Sequence, residues 1–190
     1  MDKGTVARYQ ERLVRLIEEI DAEAFERFML ILLEAYRNDR QVFVAGNGGS
    51  AATANHFAAD FGKNAVAEGR RRFRVLSLCD SIEKVTALGN DIAFEEIFRQ
   101  QLINLMRPGD VLVLVSASGS SPDLVRACEY AREQGAKIVA LAGFEGGKIK
   151  GFADTALVAR TDSYERIEDI HLILLHMAVC WFKEHPELCA

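Results

Sequence analysis

The sequence predicts an α/β protein in three layers, a parallel sheet with helices on both faces. Three observations carry that expectation. Short, β-branched apolar runs alternate with segments of helical periodicity along the chain. The run Val111 to Val115 (VLVLV) is apolar throughout, as a strand buried on both faces must be. A strand–loop–helix unit with a small-residue loop occurs twice, around Gly46 and around Gly119. Alternation of this kind implies right-handed crossovers and parallel strands.

The elements follow in order. From Thr5 to Asn38, Leu13, Leu16, Ile17 and Ile20, then Phe25, Phe28, Met29, Leu32 and Leu33 recur at helical spacing, with a break near Asp21. This predicts an N-terminal helical pair (1–38) whose apolar stripe covers the sheet or a second subunit. The expected α/β core spans 41–184, and the whole chain, 1–190, reads as one domain. Its strands are QVFVA (41–45), RVLSL (74–78), VLVLV (111–115), KIVALA (137–142) and TALVA (155–159). Helices are expected at 50–61, 81–88, 93–106, 122–134 and 164–183. Pro122 opens one of them and Gly135 caps its end.

Composition narrows the function. A net charge of −5 over 190 residues argues against bulk electrostatic binding to nucleic acid or an anionic membrane. Apolar runs stay short of the roughly 18 residues that a membrane helix needs. The basic run Arg70, Arg71, Arg72 and Arg74 reads as a solvated loop entering a strand. Cys79, Cys128, Cys180 and Cys189 lack zinc or redox spacing, and the N-terminal stretch is polar. Reduced thiols in a cytoplasmic protein are the expectation.

The two small-residue loops are the chemical features. Gly46-Asn47-Gly48-Gly49-Ser50 allows a ligand close to the backbone, with Ser50 expected to cap the following helix and its free N–H groups expected to favour an anion. It matches neither the dinucleotide fingerprint nor the P-loop. Ser116-Ala117-Ser118-Gly119-Ser120-Ser121 brings four hydroxyls to a helix N-terminus, a phosphate site that needs no cationic side chain. In open parallel sheets, ligands sit outside the carboxyl ends of the strands, where both loops fall.

Two helices carry ionisable residues. His56 and Asp60 are four apart and share a face, and Glu168 lies two turns before His176. Leu174, Leu175, Met177 and Val179 surround His176 in sequence, and in so apolar a helix a histidine is ordinarily a core residue.

The GNGGSA loop, the serine loop, Gly89-Asn90-Asp91 and the terminal helix at Arg166-Ile167 together resemble the SIS (sugar isomerase) domain proteins, most closely the phosphoheptose isomerases. These convert sedoheptulose 7-phosphate to the aldoheptose phosphate. The resemblance covers nearly the whole chain. It implies a flavodoxin-like five-stranded sheet and a homotetramer with active sites between subunits. It assigns phosphate binding to Ser116, Ser118 and Ser121. Asn47, Gly48, Gly49 and Ser50 would lie along the sugar, with Asp91 near its hydroxyls and Glu168 beside it. His56, Asp60, Glu168 and His176 stand at the positions of zinc ligands, and Asp60 and His176 at those of the proton-transfer pair.

The chain departs from that family at several positions. Asp60 replaces glutamate, which draws the carboxylate back by about 1.5 Å. Glu168 replaces glutamine and Ala117 replaces threonine, while Lys63-Asn64 stands where a basic residue is common. Two imidazoles and two carboxylates suit a divalent transition metal such as zinc. The expected reaction is ketose–aldose isomerisation, with Asp60 as base and His176 as acid. The other readings are a non-catalytic SIS protein, either an adaptor for a replication initiator or a sugar-phosphate sensor. Retained ionisable residues favour the enzyme.

Overall fold

Among the described residues of the computed structural model, 4–66 and 68–189, the five apolar runs form five parallel strands. The start of the polar N-terminal stretch lies outside them. The strands are β1 (Gln41–Gly46), β2 (Arg74–Ser77), β3 (Val111–Ser116), β4 (Lys137–Gly143) and β5 (Thr155–Ala159), in the order β2-β1-β3-β4-β5. The helices are α1 (Gly4–Glu18), α2 (Ala22–Arg37), α3 (Gly49–Lys63), α4 (Ile82–Asp91), α5 (Ile97–Leu105), α6 (Pro122–Glu133) and α7 (Tyr164–Glu184). The long helix expected at 93–106 is broken, because Phe94–Glu96 forms a 3₁₀ turn before α5.

Side chains of the central strands alternate between two cores. Val42, Val44, Val113, Val115 and Leu141 pack with Phe28, Leu32, Phe57, Phe61, Leu174 and Phe182 from α2, α3 and α7. Phe43, Leu112, Leu114 and Ile138 face Phe98, Leu102 and Leu124 from α5 and α6. With both faces covered, β3 is buried along its whole length, as its unbroken apolar run requires. The sequence break near Asp21 is a helix start, since the Asp21 carboxylate accepts from the Ala24 N–H at 2.9 Å. Helix α1 buries no residue fully and leaves Val6 and Val14 exposed.

Chain direction reverses its winding between β1 and β3, the neighbours at the centre of the sheet. Gly46 lies beside Val115 in register, so both small-residue loops leave the sheet side by side. That is the topological switch point, where the ligand crevice of such sheets opens. The basic run lies at the opposite end, before β2. There Arg71 pairs with Asp39 at 3.0 Å and stacks over Tyr36, and Arg74 donates to the Asp39 carbonyl at 2.8 Å. Half of this run therefore ties β2 to α2 rather than standing free in solvent.

Candidate active site

Helix α3 carries two pairs of residues at a spacing of four. Phe57 and Phe61 turn inward, both essentially unexposed, and stack on each other at 4.2 Å between ring centroids. His56 and Asp60 each precede one of those anchors, so they fall on the adjoining, outer face. Helix α7 packs against α3 and brings His176 to the same place. His56 Nε2 stands 3.3 Å from Asp60 Oδ2, His176 Nε2 3.8 Å from that oxygen, and the two Nε2 atoms are 3.5 Å apart. The two histidine side chains are about half exposed, at 46% and 48%. His176 is thus no core residue despite its apolar neighbours in sequence. The core histidine of α7 is His171, wholly buried, with its pKa lowered to about 4 by that burial.

Asp60 is held from behind. Asn64, at the C-terminal cap of α3, donates from Nδ2 to Asp60 Oδ1 at 2.9 Å, which leaves Oδ2 to the histidines. In the sequence Asn64 drew notice only as part of Lys63-Asn64, where the family often carries a basic residue. Its i+4 spacing from Asp60 was the signal for this bond.

The three donor atoms fit a metal. Zinc held tetrahedrally at about 2.1 Å has ligand atoms about 3.4 Å apart, and the observed separations bracket that value. Two imidazoles with one carboxylate are an ordinary zinc donor set. Glu168 is not part of this cluster. Its carboxylate lies against Gly49, so close that a Cβ there would come within 2.5 Å of Oε1. One of the protein's own carboxylates thus lies beside the first residue of α3, where the helix dipole favours one.

The glycine loop otherwise differs in detail from its sequence reading. Helix α3 begins at Gly49, with Gly48 (φ +55°) as its cap and no side-chain capping bond. Ser50 is buried inside the first turn rather than at the cap. Asn47, half-buried, donates from Nδ2 to Asp123 Oδ2 at 2.9 Å. This bond joins the β1 loop to the first turn of α6, across the crevice.

The serine loop is braced by its own hydroxyls. Ser116 Oγ accepts from the Gly119 N–H at 3.1 Å, and Ser118 Oγ accepts from the Ser120 N–H at 3.3 Å. Gly119 (φ +60°) sits on the backbone of Gly146, where no Cβ would fit. Ser121 occupies the N-cap position of α6 without a side-chain cap bond. An open cavity of about 580 Å³ lies beside it, lined by Asn47, Ala93, Phe94, Ser121, Pro122 and Asp123. Asp91 ends α4, exposed and bonded to Asn90 at 2.8 Å, two residues before the cavity wall at Ala93.

Sequence reading passed over Asp123, because an acidic residue in a first helical turn is ordinarily a capping feature. Here it is 1% exposed, and burial raises its carboxyl pKa, against the Asn47 bond and the Leu124 and Asp123 N–H groups that lower it.

The chain matches the SIS domain family model over residues 7–143. It is 33% identical over 177 residues to the phosphoheptose isomerase of a Helicobacter pylori strain, covering 93% of this chain and 91% of that protein. To the phosphoheptose isomerase of a Nitratiruptor species it is 38% identical over 148 residues, with 78% and 79% covered. Among solved structures, the phosphoheptose isomerase of Neisseria gonorrhoeae superposes with a TM-score of 0.88 at 30% identity, covering 97% of this chain and all of that one. The β2-β1-β3-β4-β5 sheet, its paired loops at the switch point and these likenesses give one conclusion: the chain belongs to the SIS domain family and, within it, to the phosphoheptose isomerases.

Proposed function

We propose that the chain interconverts sedoheptulose 7-phosphate and D-glycero-D-manno-heptose 7-phosphate by ketose–aldose isomerisation through an enediol. The observation that carries this reading is Asp60 Oδ2 facing two imidazoles, His56 from its own helix and His176 from α7. The relatives named phosphoheptose isomerase supply the substrate.

In this reading the phosphate rests on the serine loop. Ser121 offers a hydroxyl at the α6 N-terminus, and Ser116 and Ser118 hold the loop and turn toward the anion. Helix N-termini suit such a ligand. Asn47, Gly48, Gly49 and Ser50 border the carbon chain, with Asp91 and Glu168 toward its hydroxyls. Asp60 takes the proton from C1 of the ketose, and His176 protonates the C2 carbonyl oxygen to give the enediol. Asp60 then returns its proton to C2 while His176 accepts the proton from the C1 hydroxyl, leaving the aldehyde. Asn64 and His56 keep Asp60 aimed through both halves. This symmetry lets one acid and one base serve both directions.

Zinc, or a similar divalent ion, would be held by His56, Asp60 and His176. When bound it would polarise the substrate carbonyl. The half-exposed cluster and the unburied apolar face of α1 support a homotetramer whose sites are closed by a second subunit. Among the described residues the four cysteines are free thiols, which supports a cytoplasmic setting. No helix among them is long and apolar enough to cross a membrane. Turnover of sedoheptulose 7-phosphate by wild type, lost in Asp60→Asn and His176→Ala, tests the reading. Wild-type turnover in both variants would overturn the assignment.

A further inference from the structure

Two loops meet at the switch point, and one side-chain bond joins them. Asn47 follows β1, Asp123 lies in the first turn of α6 after β3, and 2.9 Å separates Asn47 Nδ2 from Asp123 Oδ2. Both residues line the open cavity next to Ser121. Asp123 is 1% exposed, so its carboxylate has been taken almost wholly out of water. For packing alone an apolar side chain would serve better there, because a buried carboxylate carries a desolvation cost.

We propose that Asp123 is a positioning residue that fixes the orientation of the Asn47 amide and so sets how the crevice reads a sugar hydroxyl. The inference rests on the isomerase reading for its substrate. Its logic is the donor and acceptor inventory of the two side chains. An ionised carboxylate only accepts hydrogen bonds, so the amide must turn its NH₂ toward Asp123. The Asn47 carbonyl oxygen is then left as an acceptor for a hydroxyl of the bound chain. An asparagine free of this partner could present either end and would lose that discrimination. The carboxylate also draws on the N–H groups of Asp123 and Leu124 at the start of α6. One residue thus ties the helix end that faces the phosphate to the side chain that faces the sugar. The phosphate and the carbon chain are thereby held in a fixed relation.

The test compares Asp123→Ala, Asp123→Asn, Asn47→Ala and the Asp123→Ala/Asn47→Ala double variant with wild type. KM and kcat are read for sedoheptulose 7-phosphate, and inorganic phosphate binding is followed by calorimetry. Asp123→Ala and Asn47→Ala are each expected to raise KM about tenfold, the scale of one charge-assisted hydrogen bond. The double variant should be no worse than either single one, since both cut the same link. Asp123→Asn should stay within about threefold of wild type, because its amide oxygen can still accept from Asn47. Inorganic phosphate affinity should hold or rise in all four, as the serine loop is untouched and a negative charge is removed in three.

An unchanged KM in Asp123→Ala, additive losses in the double variant, or a parallel loss of phosphate affinity would each overturn the proposal. The last would mark a merely structural role. A wild-type protein that binds sedoheptulose 7-phosphate without turning it over would overturn the isomerase reading alone. The same variants would then be judged by their affinity for that sugar relative to phosphate. If wild type bound phosphate but not the heptose phosphate, both proposals would fall.

Discussion

His56 and His176, 120 residues apart in the chain, bring their Nε2 atoms to 3.5 Å of each other, with one oxygen of Asp60 in reach of both. Two ring nitrogens and one carboxylate oxygen converge there from two helices. In the isomerase reading they hold and move protons, and they are equally placed to hold a cation.

In the isomerase reading, replacing Asp60 should abolish the chemistry without harming the fold. Asp60→Asn keeps the shape and the Asn64 contact but cannot take a proton. A loss of about 10²–10⁴-fold in kcat is expected, the usual contribution of a positioned general base. Steady-state kinetics on folded variant, with thermal melting as the control, checks it.

The metal reading has a test that does not depend on activity. Zinc that binds the native cluster raises the melting temperature by mass action, by about 2.7 kcal/mol of stability at a hundredfold excess over Kd. His56→Ala and His176→Ala should lose that shift, and Glu168→Ala should keep it, because Glu168 lies against Gly49 instead. Melting curves with and without zinc distinguish these outcomes.

Gly49 and Glu168 should behave as one unit. Alanine at 49 meets only the tip of a flexible side chain, so Glu168 swings away and the fold survives. Gly49→Ala and Glu168→Ala are expected to show similar kinetic losses, with the double variant no worse than either. Additive losses would mean that the carboxylate acts somewhere other than at the start of α3.

His171 sets an acid limit on stability. The unfolded chain protonates this ring near its ordinary value of 6.5, whereas burial lowers the folded value to about 4. The Ala142 carbonyl opposes that shift, and neither ring nitrogen makes a well-formed hydrogen bond. Between those two values the unfolded state binds the extra proton, so stability falls as pH falls and this contribution levels off below about 4. The expected loss from pH 7 to pH 5 is about 2 kcal/mol. Urea unfolding at both pH values should show it, and His171→Leu should remove it.

Much of the architecture was readable from the sequence because burial on two faces leaves an unmistakable pattern. VLVLV could be little else than a central strand, and Pro122 and Gly135 mark the ends of α6 by their backbone requirements. The break between Phe94–Glu96 and α5 was hidden, since Phe94, Ile97 and Phe98 fit a continuous helical stripe. At the site, His56 and Asp60 were legible from their spacing. The placing of His176 was legible only through the family resemblance, because its sequence neighbours are core residues. Glu168 could not have been placed by spacing, since its position depends on a glycine on another helix. Asp123 was illegible for a different reason. Its burial depends on how two loops meet at the switch point, and no local pattern encodes that.

The most direct measurement of the central claim is proton NMR of sedoheptulose 7-phosphate with the purified protein in deuterium oxide. The isomerase reading requires an aldoheptose phosphate product, or deuterium at C1 of the ketose, with both signals gone in Asp60→Asn. A wild-type protein that binds the sugar phosphate yet gives neither exchange nor product, with or without zinc, would contradict it.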